Sequence, residues 1–297
     1  MSLALHWAFG PQRLCHSPGA AETRFVRGTA GWVVVDLGLC ARYPSRESTF
    51  ARSKGRHSMT DVHELFSKAV ATYWDVRAAQ GRKQRTAGRR DQGARAAATG
   101  GKQMDGFIAA MAALLLDSGV SSDDIHTGKA VQTLPGFFRP TKEWDLLVVH
   151  HGHLQLALEV KSQVGPSFGN NFNNRTEEAM GSALDLWTAF REGAFGDAPA
   201  PWLGYMLLLE DCEASRRSVS SREPHFEVLP EFKQASYARR YELFCQKLVR
   251  ERHYSATALL LSEREAGMSG LFSEPCEALG VQRFAESLVS HVAAQPR

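Results

Sequence analysis

A mixed α/β sandwich is the fold class that this 297-residue sequence predicts, on three observations. Stretches with apolar residues at intervals of three and four alternate with short apolar runs, the pattern of helices interleaved with strands. Two apolar runs flank a His-His-Gly-His turn and read as an antiparallel hairpin. The composition, 43% hydrophobic and 23% charged, is that of an average globular chain. It excludes fully disordered and collagen-like classes, and no apolar run approaches the roughly 18 residues of a membrane helix.

The first convincing element starts just after Met59. Val62, Leu65, Phe66, Ala69, Val70, Tyr73 and Trp74 share one helical face, behind Asp61 with Glu64 three residues on, a capping signature. Residues 103–118 are apolar over most of their surface and end at Gly119, which suits the position after a helix C-terminus. Residues 144–149 and 154–162 form the hairpin. A helix follows over 176–192, with Ala179, Met180, Ala183, Leu184, Trp187 and Phe190 on one face and Gly193 behind it. A strand (202–209), a helix (236–252), a strand (256–261) and a last helix (281–292) complete the order. Residues 1–58 are Arg- and Gly-rich, with one apolar run (32–37) and no second element to pack against it. They read as an extension outside a domain spanning 59–297, with Met59 as a functional start.

The net charge of +3 hides a strong partition. Residues 1–58 carry eight basic and three acidic side chains, and 77–102 carry eight basic against the single acid Asp91, leaving −9 for the rest. The second block, rich in Gly, Ala and Arg, has no apolar periodicity and reads as a mobile or partner-ordered loop between helices. Its Arg82, Lys83, Arg85, Arg89 and Arg90 suit contacts to a polyanion backbone. The five cysteines, Cys15, Cys40, Cys212, Cys245 and Cys276, are scattered and never form a Cys-x-x-Cys pair, which points to reduced thiols. With no secretory-type N-terminus, a cytoplasmic protein with no membrane partner is the expectation.

The chemistry concentrates on the hairpin. Asp145 in TKEWDLLVV precedes Glu159 and Lys161 in LQLALEVKS. Strand side chains alternate, so Leu154, Leu156, Leu158 and Val160 are expected on one face and Ala157, Glu159 and Lys161 on the other. A hairpin symmetric about Gly152 pairs Val149 with Gln155 and sets Asp145 opposite Glu159, with Cβ atoms about 5 Å apart. Two carboxylates at that spacing suit one hard cation such as Mg²⁺, and Lys161 on the same face is placed to orient or help deprotonate a water. A bare match of this kind recurs by chance, and the bland alternative is a surface hairpin with a Glu–Lys cross-pair. The apolar setting and the basic block favour the site.

With these residues in place, the pattern resembles the PD-(D/E)xK nuclease superfamily, Asp145, Glu159 and Lys161 standing at its three positions. The following run, EVKSQVGPSFGNNFNNRTEEAMGSALDLWTAFREGAFG, is similar to restriction endonucleases of the XhoI/PaeR7I family. Trp144 stands where the superfamily name has Pro. The resemblance covers about 59 to the C-terminus and implies a restriction-endonuclease-like mixed sheet flanked by helices. It further implies a Mg²⁺-dependent, homodimeric type II enzyme cutting both strands of double-stranded DNA at CTCGAG, with 5′-phosphate ends and a partner DNA methyltransferase that protects the host. Two rivals stand beside it: another nuclease of this superfamily acting in repair or junction cleavage, and a non-catalytic DNA-binding module.

Downstream, Asn170, Asn171, Asn173, Asn174 and Arg175 put amide and guanidinium donors ahead of the expected helix start at Thr176, where a phosphate or base edge is well received. The alternative is an Asn-rich turn and cap. Asp105 and Glu178 are further acidic candidates, although first-turn helix acids usually only complement the dipole. Three patterns are set aside. Gly165-Pro166-Ser167-Phe168-Gly169 matches G-x-S-x-G without the immediate helix a nucleophile elbow needs. Gly100-Gly101-Lys102 lacks the rest of a P-loop. His150, His151 and His153 at a turn more often face solvent than hold a metal.

Overall fold

The computed structural model describes residues 23–28, 31–36, 59–86, 101–128 and 131–295. Its chain divides into two units, Met1–Arg52 and Ser53–Arg297. In the first, β1 (Thr23–Gly28) pairs antiparallel with β2 (Gly31–Asp36). Residues 32–36 of the apolar run therefore have the strand partner that their composition did not announce.

The second unit opens with α1 (Met59–Thr86) and α2 (Asp105–Asp117). Val62, Phe66, Ala69, Val70, Tyr73 and Trp74 are buried on α1 as its periodicity predicts. The helix runs ten residues into the block read as a loop. Ala78, Ala79, Gln80, Arg82, Lys83, Gln84 and Arg85 are good helix formers, and extending an existing helix needs no apolar stripe because nucleation is already achieved. Gly119 follows α2 at φ 85°, and Val120 N–H donates to Leu115 O at 3.0 Å, closing the helix as the sequence implies.

Five strands make the central sheet in the order β3 (Ile125–His126), β6 (Leu146–His150), β7 (His153–Gln163), β8 (Trp202–Glu210) and β9 (Ala256–Ser262). The first two pairings are antiparallel and the last two parallel, so the sheet is mixed. Every residue of β8 is buried, as suits a central strand covered on both faces. A separate hairpin joins β4 (Thr133–Pro135) to β5 (Thr141–Glu143). Beyond the sheet strands lie α3 (Phe168–Arg191), α4 (Tyr237–Arg250) and α5 (Val281–Ala293).

Strand alternation sorts the core into two layers. Leu146, Val148, Leu156, Leu158, Val160, Met206, Leu208, Ala258 and Leu260 pack with α1, α2 and α5. On the other face Leu147, Ala157, Leu203, Tyr205, Leu207 and Leu259 pack with α3 and α4. Each fully buried Leu contributes about 1.5–3 kcal/mol by leaving water. The result is the helix-flanked mixed sheet expected of the restriction-endonuclease-like class. Among the described residues, no helix is long and apolar enough to cross a membrane.

Helix α3 begins eight residues before the expected Thr176. Asn and Gly are poor helix formers, but Phe168 and Phe172, four apart, share one face. Phe168 stacks on Tyr237 at 5.9 Å, and Phe172 meets Tyr241 edge-on at 5.0 Å. Packing of that apolar pair outweighs local propensity. Thr176 is consequently mid-helix, its hydroxyl donating to Phe172 O at 2.9 Å rather than capping an N-terminus.

Candidate active site

Hairpin register places the chemistry. Leu146 pairs with Leu158, Leu147 with Ala157 and Val148 with Leu156, so the symmetric pairing holds at the end that carries Asp145. Between Val148 and Val149 the register shifts, and Val149 faces Leu154 instead of Gln155. The one extra residue is a bulge. It turns Leu154 to the α3/α4 layer, so Leu154 does not share a face with Leu156, Leu158 and Val160.

Asp145 sits at the bend entering β6. Its N–H donates to Leu158 O at 3.0 Å, and its Oδ2 accepts the Val160 N–H at 2.7 Å. Buried Gln132 fixes this bend by accepting the Trp144 N–H at 2.9 Å and donating from Nε2 to Asp145 O at 2.6 Å. Lys161 Nζ contacts Glu159 Oε1 and lies 3.7 Å from Asp145 Oδ2, bringing the three predicted side chains together. A fourth member had no sequence motif: Lys142 of β5, whose Nζ donates to Glu159 Oε2 at 2.6 Å and lies 4.3 Å from the Trp144 ring centroid. Two carboxylates and two ammoniums balance, which is how such buried charges are tolerated.

Electrostatics differ between the two acids. Burial raises the Asp145 carboxyl above the usual carboxylate range, the charge on Glu159 adds to the rise, and Lys161 with the Val160 N–H offsets only part of it. Glu159 is more deeply enclosed, and burial by itself would raise it. The ammoniums of Lys161 and Lys142 outweigh that effect and hold it below the ordinary value. For Lys161 burial works downward, but the two carboxylates prevail and its pKa is raised. Lys161 is thus a protonated donor here. Of the two roles expected from sequence, this favours orienting a water or holding a phosphate oxygen over removing a proton.

The donor set is two carboxylates; among the described residues, no group of three or more His, Cys, Asp or Glu is placed to hold a metal. A hard cation that keeps most of its waters and adds phosphate oxygens matches such a site, whereas a structural zinc site does not. The carboxylates would first have to exchange their lysine contacts for the cation. His150 is engaged elsewhere, its Nδ1 lying 2.8 Å from Asp124 Oδ2.

Glu159, Lys142 and Lys161 line a cleft of about 690 Å³, together with Phe138, Arg139, Arg175, Glu177, Glu178 and Asp185. Glu178 is there as an ion-pair partner of Arg175 at 2.6 Å. The Asn block does not precede a helix start. It forms the first turns of α3, with Asn170, Asn173 and Asn174 exposed and Asn171 half-buried. Asp105 is exposed at the start of α2, in the helix layer on the opposite sheet face, and does not line the cleft. Arg82 is exposed near the end of α1, in that same opposite layer. Lys83 and Arg85 are helical, their side chains lying outside the described residues, and Arg89 and Arg90 lie outside them altogether.

Comparison with known proteins bears on the same stretch. The family model described as restriction endonuclease XhoI matches residues 83–274, which contain all four charged residues of the site. The chain belongs to the XhoI restriction endonuclease family. The type II restriction enzyme BstVI of Geobacillus stearothermophilus is 53% identical over 211 residues, covering 69% of this chain and 94% of that protein. Type II restriction enzyme XhoI of Xanthomonas vasicola is 46% identical over 194 residues, 64% of this chain and 77% of its own length. AbrI of Azospirillum brasilense, also a type II restriction enzyme, is 48% identical over 168 residues, covering 57% and 75%. No solved structure matches significantly. Membership in the XhoI family makes the chain a type II site-specific deoxyribonuclease that binds DNA, a class that generally needs divalent metal ions. It sets aside both the repair or junction nuclease and the non-catalytic binding module.

In this XhoI-family chain, sequence reasoning missed Lys142, Arg139 and Asp185. Asp185 is buried on α3 and accepts the N–H groups of Phe137 and Phe138 at 2.9 and 2.8 Å and Arg139 Nε at 2.8 Å, which hold its carboxyl below the usual range despite burial. An acid among the apolar residues of a helix that packs on the sheet was the available signal, because a buried carboxylate needs partners.

Proposed function

We propose that the chain is a Mg²⁺-dependent, homodimeric endonuclease that cuts both strands of DNA at the palindrome CTCGAG and leaves 5′-phosphate ends. The observation that carries this reading is the convergence of Asp145, Glu159 and Lys161 at one end of the β6–β7 hairpin, Glu159 and Lys161 lining an open cleft and Asp145 lying behind them, 3.7 Å from Lys161 Nζ. Asp145 and Glu159 would hold the cation, which when bound supplies Lewis-acid stabilisation of a phosphate oxygen and an acidified water. Lys161 donates toward the attacked phosphate or its water, and Lys142 keeps Glu159 ionised. Arg175 and Arg139 on the cleft wall, with the basic residues Arg82, Lys83, Arg85, Arg89 and Arg90, neutralise DNA backbone, while Asn170, Asn171, Asn173 and Asn174 present amides to base edges.

A palindrome has two-fold symmetry, and a dimer places one site on each strand. The endonuclease domain spans 59–297, and the enzyme works in the cytoplasm beside a methyltransferase that modifies the same site. The free thiols of Cys212, Cys245 and Cys276 suit that reducing compartment. Incubating plasmid DNA with the protein, with and without Mg²⁺, and sequencing the cut ends tests the reading. Discrete fragments with 5′-phosphate ends at CTCGAG, only with the metal, are the expected result. Cleavage at unrelated sequences, or undiminished cleavage in EDTA, overturns it.

A further inference from the structure

Phe137 and Phe138 sit at the tip of the β4–β5 hairpin, 51% and 66% exposed, with their rings edge-to-face at 4.9 Å. Two adjacent aromatic rings held in water by a fixed loop are costly for a monomeric surface, and such patches mark contact sites. The loop holds them there by construction. Buried Asp185 accepts both Phe N–H groups and Arg139 Nε, and Arg139 Nη2 reaches Ser182 Oγ at 3.4 Å. Gly136 N–H donates to Pro140 O at 3.3 Å, and a Cβ on Gly136 would stand 2.5 Å from Asp185 Oδ2, so the latch requires glycine.

The same hairpin delivers Lys142 to Glu159, and Phe138 lines the catalytic cleft beside Arg139, Lys161 and Arg175. The cleft is lined by four cations, Arg139, Lys142, Lys161 and Arg175, against four carboxylates, Glu159, Glu177, Glu178 and Asp185. Because it holds Glu159 and Lys161 of the cleavage site, its occupant is the DNA substrate. A second protein copy seated on this tip would cover the cleft that the duplex must enter. We propose that Phe137 and Phe138 form a preorganised aromatic wedge that packs against bases of the bound duplex beside the scissile phosphate, with Asp185 as its positioning residue. Apolar wedges of this kind partly unstack a base step and open the groove for closer approach of the backbone. This rests on the reading of Asp145, Glu159 and Lys161 as the cleavage site and extends it to substrate deformation.

The test uses the full chain and a duplex built on the site that the wild-type enzyme's own cut ends define, with 2-aminopurine replacing an adenine near the scissile bond. Binding is measured in Ca²⁺. The Phe137→Ala/Phe138→Ala double variant should bind about 10- to 100-fold more weakly. Its 2-aminopurine fluorescence rise should be lost, and its salt dependence should keep the wild-type slope, because Phe neutralises no phosphate. Phe138→Trp should retain the fluorescence rise. Asp185→Ala, which frees the tip, should lose that rise with the far-ultraviolet dichroism preserved. Unchanged affinity and fluorescence in the double variant overturn the proposal. So does a variant that becomes monomeric with unaltered DNA deformation, since the tip would then be an interface between copies. Failure of the catalytic reading shows separately, as an Asp145→Asn chain that still cuts, and leaves the binding readout intact.

Discussion

On one face of β7, Leu156, Leu158 and Val160 belong to an apolar cluster with side chains brought by α1, α2 and α5. On the other, Ala157 is followed by Glu159 and Lys161, which open into a charged cleft beneath α3. The same eleven-residue strand thus serves two economies: alternate residues stabilise the sheet, and those between them spend that stability on holding charge out of water. A buried ion group rarely adds net stability over an apolar equivalent, so the charged face persists only because the apolar face supports it. The difference teaches that rigidity of the site comes from the opposite side of the sheet.

The strongest challenge to this division is truncation on the apolar face. Leu156→Ala should lower unfolding free energy by about 2–5 kcal/mol, read by denaturant titration, while cleavage per folded molecule below the melting temperature stays near wild type. Comparable loss of specific activity would mean that the two faces are not separable. A smaller effect belongs to the latch on the charged face, where Asp185 of α3 holds the β4–β5 tip. Asp185→Ala removes an acceptor for three hydrogen bonds and should cost about 1–3 kcal/mol at neutral pH. Because the folded-state pKa of Asp185 lies below its unfolded value, that stabilisation is complete above about pH 4 and is lost as pH falls through the lowered folded value. The stability gap between wild type and Asp185→Ala should therefore close in acid, and a gap that widens there contradicts the assignment.

Much of this contrast was legible in the sequence. Alternation along 156–161 separates the face of Leu156, Leu158 and Val160 from that of Glu159 and Lys161 without any structure, and only Leu154, beyond the bulge, falls on the other side from the one expected. The periodicities of α1, α2, α4 and α5 follow from large apolar faces. What escaped was set by contacts distant in sequence. The strands β4 and β5 are three residues each, too short for a pattern, so Lys142 had no visible link to Glu159. The Gly- and Asn-rich start of α3 reads as a turn until Phe168 and Phe172 find Tyr237 and Tyr241 on another helix. The bulge near Gln155 changes the pairing without a Gly or Pro to announce it.

The central claim is that Asp145, Glu159 and Lys161 carry the cleavage and not merely the fold. It is tested most directly by measuring, in parallel, DNA affinity and single-turnover cleavage for wild type, Asp145→Asn and Lys161→Ala in Mg²⁺. Cleavage should fall by about 10²- to 10³-fold on loss of the lysine's charged donor to the attacked phosphate or its water and at least as far for Asp145→Asn, with binding retained in both. Either variant cutting at the wild-type rate would contradict the account.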